Sequence, residues 1–237
     1  ERTNPFYYKN KYLKYLNKYI YMLFLKLSDK VFVNNDLLYR YIRLTYKPRY
    51  LYRIFNPTFK KINQKNLNNN NKDTRILLAG RNDFQKNFQF IFDNIYILDK
   101  YFNNFTIDFY TNNNSYNLIQ FKNKVNNLKF DSDLENKIHL YDILIFPSLY
   151  EGFPNLMLEA MNSGIRIIFS NFRFGSNEFK SNNCYKFKID DLNSFELAIK
   201  KCSKDHSNKK KIQKDFKFLN NFLEKNSCED LYEKIKS

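Results

Sequence analysis

Glycine is scarce in this chain, with four in 237 residues, where globular proteins average about 7%. That scarcity excludes collagen-like and glycine-rich linker classes, and the chain shows neither a G-x-G-x-x-G fingerprint nor a P-loop. Cysteine is no commoner. Cys184, Cys202 and Cys228 stand far apart, odd in number and without a C-x-x-C pair, which excludes a disulfide framework and a zinc site of the usual spacing. His139 and His206, the two histidines, have no partner at ligand spacing, so no metal is expected. Long hydrophobic runs are missing too. The longest, Tyr19 to Leu25, falls far short of the ~20 residues that span a bilayer. Glu1 to Lys18 holds no apolar core of a signal peptide. These absences point to a reduced, cytoplasmic setting.

Negative charge is in deficit as well. Forty Lys and Arg oppose 24 Asp and Glu, for a formal net charge of +16. The excess is spread along a chain crowded with Lys, Asn, Ile, Phe and Tyr, as AT-rich codon usage produces. It still favours contact with an anionic membrane surface. Together with 19% aromatic residues it raises the alternative of a nucleic-acid binder. No recognition motif accompanies the charge, and no nucleic-acid partner is expected.

With 43% apolar residues the chain can bury a core, and its pattern alternates between strand and helix. Residues 7 to 27 have a helical period of aromatic and apolar residues interleaved with lysines. Val31–Val33 reads as a strand, 36 to 46 as a helix, and 50 to 55 as a strand closed by Asn56-Pro57. The polar, Asn-rich tract from Lys60 to Asp73 reads as a linker. Strands are then predicted at 75–80, 105–110, 128–130, 143–146, 165–169 and 185–187. Helices are predicted at 86–102, 117–125, 155–161, 192–202 and through the basic tail 209–236. Such alternation with short loops implies an α/β fold, a parallel sheet with helices on both faces. In such sheets ligands bind beyond the carboxyl ends of the strands.

Two groups of residues carry candidate chemistry. Gly80-Arg81 and Lys86-Asn87 lie where a strand turns into a helix, so two cations stand near unpaired helix N–H groups. That suits a diphosphate, with Arg binding bidentately and Lys as a point charge. The second group is Glu151-Gly-Phe-Pro-Asn-Leu-Met-Leu-Glu159, with two carboxylates eight residues apart. A glycosidase pair sits about 5 to 9.5 Å apart, whereas eight helical residues rise about 12 Å. The carboxylates are better suited to gripping two parts of one long ligand, for instance a vicinal diol at one end. Leu156, Met157, Leu158, Ala160 and Met161 surround Glu159 in sequence, which predicts a buried helix and a carboxylate in need of a partner. The four glycines, Gly80, Gly152, Gly164 and Gly175, all fall in the loops around these groups.

Taken together, these residues resemble the nucleotide-sugar-binding half of family 4 glycosyltransferases, which have the two-domain GT-B fold. The likeness runs from about Ser28 to the C-terminus. It rests on Glu-x7-Glu within Ser148 to Met161, on Gly80-Arg81 with Lys86-Asn87, and on Gly164-Ile-Arg-Ile-Ile-Phe-Ser170. Ser28-Asp-Lys-Val-Phe-Val33 and Arg53-Ile-Phe-Asn-Pro57 are similar to the end of the family's N-terminal domain and its crossover. The resemblance implies a division at 1–57 (the end of an N-terminal domain), 58–74 (linker) and 75–237 (a Rossmann-like donor domain). It implies that Arg81, Lys86 and the amides of Asn155 and Leu156 hold the donor diphosphate. Glu159 would hold the ribose, and Glu151 with Gly152 and Phe153 would contact the transferred sugar, Glu151 beside the reacting centre. The implied reaction is retaining transfer of a sugar from a UDP- or GDP-sugar to a hydroxyl of a saccharide or lipid-linked acceptor, without metal or cofactor. The implied setting is surface polysaccharide or glycolipid synthesis at the cytoplasmic membrane face. Two features depart from the family. Most of its N-terminal, acceptor-binding domain has no counterpart here, so a donor-binding module without transferase activity is the alternative. Thr111-Asn-Asn-Asn114 stands where the family often has a glycine-rich turn, which leaves the base open.

Overall fold

The computed structural model describes residues 11–34, 36–54, 73–112, 116–129, 131–173, 175–177, 179–205, 219 and 231–236. The chain opens with α1 (Lys11–Leu27), β1 (Val31–Val33), α2 (Asp36–Thr45) and β2 (Leu51–Arg53). β1 and β2 pair in parallel, Val31 opposite Leu51 and Val33 opposite Arg53. A parallel pair needs a crossover, and α2 supplies it. Leu25, Val31, Val33, Leu38 and Ile42 form the core of this unit. Outside that core, α1 leaves Tyr15, Tyr19, Phe24 and Leu27 exposed. The helical segment 231–236 returns to the same unit. Lys30 Nζ donates to the carbonyls of Lys234 (3.2 Å) and Ile235 (2.7 Å), and Lys234 Nζ donates to the Arg53 carbonyl at 3.2 Å. A cation at the last carbonyls of a helix satisfies acceptors that have no partner within it.

The larger unit follows as β3 (Thr74–Ala79), α3 (Phe88–Asp93), α4 (Tyr96–Asp99), β4 (Phe105–Thr111) and β5 (Val125–Lys129). It continues through α5 (Leu134–Lys137), β6 (Ile143–Phe146), α6 (Asn155–Ser163), β7 (Arg166–Ser170), β8 (Cys184–Phe187) and α7 (Leu192–Lys204). Its six strands are ordered β5-β4-β3-β6-β7-β8, and all pair in parallel. From β3 the chain steps outward to β4 and β5, then returns to the centre at β6 and proceeds the other way. This is the doubly wound Rossmann order, and the crevice at its reversal lies beyond the carboxyl ends of β3 and β6.

Period-two alternation splits each strand between two cores. Ile76 and Leu78 of β3 join Phe88, Ile91, Phe109, Phe195 and Ile199 on one face. Leu77 and Ala79 join Ile138, Phe146, Met157, Leu158 and Met161 on the other. Both faces are therefore covered, as a parallel sheet requires. A polar network runs from the buried Asp108 and Tyr141 out to the surface. Asp108 accepts from Arg75 Nη2 (3.0 Å), Asn126 Nδ2 (2.8 Å) and the Tyr141 hydroxyl (2.9 Å). The Arg75 guanidinium also lies 4.9 Å from the Tyr141 ring centre. Burial, and then the hydroxyl and carboxylate of Tyr110 and Asp108, push the Tyr141 hydroxyl above its ordinary pKa.

The α/β fold class read from the sequence is the one observed, and several element boundaries need correction. The single helix expected at 86–102 is a 3-10 turn at Phe84–Lys86 followed by the short helices α3 and α4. Asn94 breaks it with φ −121°, its side chain donating to the Phe90 carbonyl at 2.8 Å, as Asn does when it competes with helix backbone. The helix expected at 117–125 is only a 3-10 turn at Ile119–Phe121. Val125 instead opens β5, paired with Ile107, because burial of Val125 in the sheet outweighs a weak local helical period. The strand expected at 128–130 accordingly starts earlier. Of the tail helix expected at 209–236, residues 219 and 231–236 are helical; the remainder lies outside the described residues. So do Phe55 to Lys72, which include most of the expected linker, and Asn113 and Asn114.

Candidate functional site

Lys86 is held on several sides. Gly80 ends β3 with φ +156°, and its lack of a side chain makes room for Lys86. A Cβ there would meet Lys86 Cε at 3.1 Å and Phe88 Cζ at 3.2 Å. Asp83 caps the 3-10 turn that follows, Oδ1 accepting from Lys86 N at 3.2 Å. Asn87 then takes the left-handed conformation, φ 52°, which Asn tolerates better than most residues. The turn folds the Lys86 stem back over Gly80. The ammonium sits 4.9 Å from the Phe146 ring centre at the end of β6, within cation–π range. It donates to Glu151 Oε1 at 2.8 Å. Side-chain exposure is only 15% for Lys86 and 10% for Glu151.

Glu151 stands on the loop that leaves β6, and that loop is tied on two sides. Toward β3, Gln85 Nε2 donates to the Tyr150 carbonyl at 2.8 Å, and the Gln85 carbonyl accepts from Leu149 N at 2.8 Å. Toward β7, Glu151 N donates to the Arg173 carbonyl (3.4 Å) and Arg173 N to the Leu149 carbonyl (3.3 Å). The Ser170 hydroxyl donates to the Ser148 carbonyl. Two loops far apart in sequence thus meet as a cation and a carboxylate at the reversal point of the sheet.

Arg81 behaves differently. Its side chain is 69% exposed, and its guanidinium lies 3.6 Å from the Asp83 carboxylate. It is on the same loop as Lys86 but reaches into solvent.

Past Glu151 the loop buries Gly152 and Phe153, with Phe153 packed 5.5 Å from the Phe179 ring. Pro154 is the N-cap of α6, and no side chain caps it there. Asn155 and Leu156 hold the first two positions of α6. α6 ends at Gly164 in the left-handed conformation, φ 75°, a common helix stop. The sequence suggested a helix apolar on nearly every side. The structure corrects that reading: Met157, Leu158, Ala160 and Met161 are buried, while Asn155 is exposed and Glu159 and Asn162 are partly buried. Residues three and four apart share a helix face, so these form one polar strip.

Among the described residues no donor reaches the Glu159 carboxylate. Burial, and after it the nearby Glu135, pushes its carboxyl pKa up to about 7 from an ordinary 4.5.

The structure therefore joins Lys86 with Glu151 directly, places Arg81 on the same loop in solvent, and sets Glu159 just over one turn into the helix that follows. Sequence reasoning missed Gln85, Phe146 and Asp83. Gln85 and Phe146 act across long stretches of chain, so no local pattern announces them; Asp83 carried a readable cap signal three residues before Lys86. Gln85→Ala is expected to cost about 1–2 kcal/mol by denaturant unfolding, and Gln85→Glu should fail to rescue it, because a carboxylate cannot donate to the Tyr150 carbonyl. Equal stability of Gln85→Glu and the parent would remove Gln85 from this role.

A doubly wound parallel sheet with a polar crevice at its reversal defines a Rossmann-like α/β protein. The model of the glycosyl transferases group 1 family matches residues 73–205, and the chain belongs to that family. No curated protein matches it in sequence. Among solved structures it is similar to a mutant of S. aureus TarM in complex with fondaparinux, α-GlcNAc-glycerol and UDP. That likeness has 15% identity and a TM-score of 0.77, and covers 99% of this chain and 48% of TarM. It is also similar to sucrose-phosphate synthase from Thermosynechococcus elongatus, at 17% identity and a TM-score of 0.75, covering 96% of this chain and 64% of that one. A third is the lipopolysaccharide outer core galactosyltransferase WaaB in its apo form, at 17% identity and a TM-score of 0.68, covering 88% and 62%. The chain thus spans about half the length of TarM and less than two thirds of the other two. At these identities the likeness establishes the fold.

Proposed function

We propose that this chain is the donor-binding part of a glycosyltransferase that moves a sugar from a UDP- or GDP-sugar to an acceptor hydroxyl with retention. One observation carries the reading: Lys86 and Glu151, from the loops after β3 and β6, meet at 2.8 Å where the sheet order reverses, just before the N-terminal turn of α6. In this reading Lys86, Arg81 and the amides of Asn155 and Leu156 receive the diphosphate. Glu159 accepts the ribose hydroxyls. Glu151, with Gly152 and Phe153, faces the transferred sugar.

As the anomeric C–O bond breaks, negative charge grows on the departing diphosphate. In this reading Lys86, Arg81 and the N–H groups at the start of α6 stabilise that charge without metal or cofactor. The Glu151 carboxylate lies on the side where the sugar turns electron-poor. Residues 1–57 and 75–237 are taken as parts of two domains joined by 58–74, the last with β3 already begun at Thr74. The acceptor is taken as a saccharide or a lipid-linked saccharide, in surface polysaccharide or glycolipid synthesis on the cytoplasmic membrane face. The +16 charge and the exposed aromatic residues of α1 support contact with an anionic membrane. No helix among the described residues is long and apolar enough to cross one. The second reading is donor binding without transfer, which the turnover assay below separates from the first.

The test is calorimetric titration with UDP and GDP. One nucleotide is expected to bind, with Arg81→Ala and Glu159→Ala each weakening it about tenfold or more, the weight of a hydrogen bond to a charged group. Absence of binding by the folded chain would overturn the donor site. Turnover of the bound nucleotide's sugar ester then separates transfer from binding alone.

A further inference from the structure

The Lys86–Glu151 pair has a consequence beyond donor binding. The Lys86 stem is confined between Gly80, where even a methyl group would crowd it, and the Phe146 ring. Its ammonium is therefore presented at a set place, with the Glu151 carboxylate 2.8 Å away and both side chains largely shielded from water. A diphosphate that engages Lys86 must come up against that carboxylate. In a crevice partly stripped of water such like-charge contact is costly, and the cost rises with the charge of the ligand.

Donor and spent nucleotide differ in that respect. The terminal phosphate of a free nucleoside diphosphate is a monoester-like group that loses its second proton near pH 6, giving about one negative charge more at neutral pH than the sugar ester. The sugar ester also brings the hydroxyls of the transferred sugar, which can donate to a carboxylate; the free diphosphate lacks these and keeps only those of the ribose.

We infer that Glu151 is a specificity-determining residue that favours the intact nucleotide sugar over the spent nucleoside diphosphate. The inference rests on the donor-site reading above. Glu151 thereby acts again after transfer, because its charge weakens the hold on the leaving group once the sugar has gone and so speeds clearance of the site. Glutamine is the informative replacement, because its carbonyl still accepts from Lys86 and its shape is the same while its charge is gone.

The experiment compares the parent and Glu151→Gln by calorimetry with two ligands. These are UDP and UDP-glucose, or GDP and GDP-mannose if guanine is the base bound. The free diphosphate is expected to bind the variant about tenfold tighter, and the sugar ester no tighter or more weakly, the difference expected for removing one close charge. Glu151→Asp, which keeps the charge, should retain the parent's preference, and near-ultraviolet circular dichroism confirms that each variant is folded. Free diphosphate binding unchanged or weakened in Glu151→Gln overturns the inference while leaving the donor site standing. Failure of the parent and the variants alike to bind either ligand overturns both.

Discussion

Glu159→Gln should stabilise the ligand-free protein at alkaline pH and weaken nucleotide binding at the same time. The carboxyl is raised to about 7 in the folded state from about 4.5, first by burial and then by Glu135. Below the lower value both states carry the proton, and the residue costs nothing. Between the two values the unfolded chain ionises while the folded one holds the proton. Above 7 the folded protein bears a poorly solvated charge, and the full penalty applies. The parent's stability therefore falls across this window, by up to roughly 3 kcal/mol, and the glutamine variant escapes that fall. Binding runs the other way. Ribose hydroxyls donating to the carboxylate favour its charged form, so nucleotide binding near neutral pH releases a proton, and affinity rises with pH until the group is ionised. Loss of the charged acceptor should weaken binding about 10- to 100-fold. Denaturant unfolding at about pH 5 and pH 8 checks the first part, and calorimetry in two buffers of different ionisation enthalpy checks the second. A Glu159→Gln stability difference independent of pH would rule out a raised carboxyl at this position.

The second large effect is expected from Lys86. Removing it as Lys86→Met keeps most of the apolar stem over Gly80 and Phe146 but strands Glu151. Breaking a buried ion pair from one side costs about 3–5 kcal/mol, because the remaining charge has lost its compensation. The double variant Lys86→Met/Glu151→Gln should recover most of that loss while binding no diphosphate. Unfolding curves of the two single variants and the double variant give the coupling directly. A cost below about 1 kcal/mol for Lys86→Met would make the pair equivalent to a solvent-exposed one.

The core strands were legible because each is a short apolar run bounded by polar turns, as in Ile143–Phe146 between Asp142 and Pro147. Parallel strands buried on both faces leave that mark on their own sequence. Helix segments were less legible. The span 86–102 has a continuous apolar period, yet it divides at Asn94, whose side chain outcompetes the backbone for the Phe90 carbonyl. Val125 lies at the end of a weak helical period, but it opens an edge strand because Ile107 lies beside it. In the site, Glu151 and Glu159 stood out as carboxylates in a nearly uncharged stretch, and Arg81 and Lys86 stood out around one of four glycines. Gln85 and the Phe146 ring had no such mark.

The sequence by itself determined the α/β class and which loops hold the polar groups, since periodicity and turn residues are local properties of the chain. Only the tertiary structure decided that Lys86 and Glu151 face each other at 2.8 Å while Arg81 on the same loop stays in solvent. It also decided that Glu159 is half-buried beside Glu135 with a raised carboxyl pKa. Ion pairing and desolvation depend on distance and on exclusion of water, and those are set by how β3 and β6 come to lie side by side in the sheet.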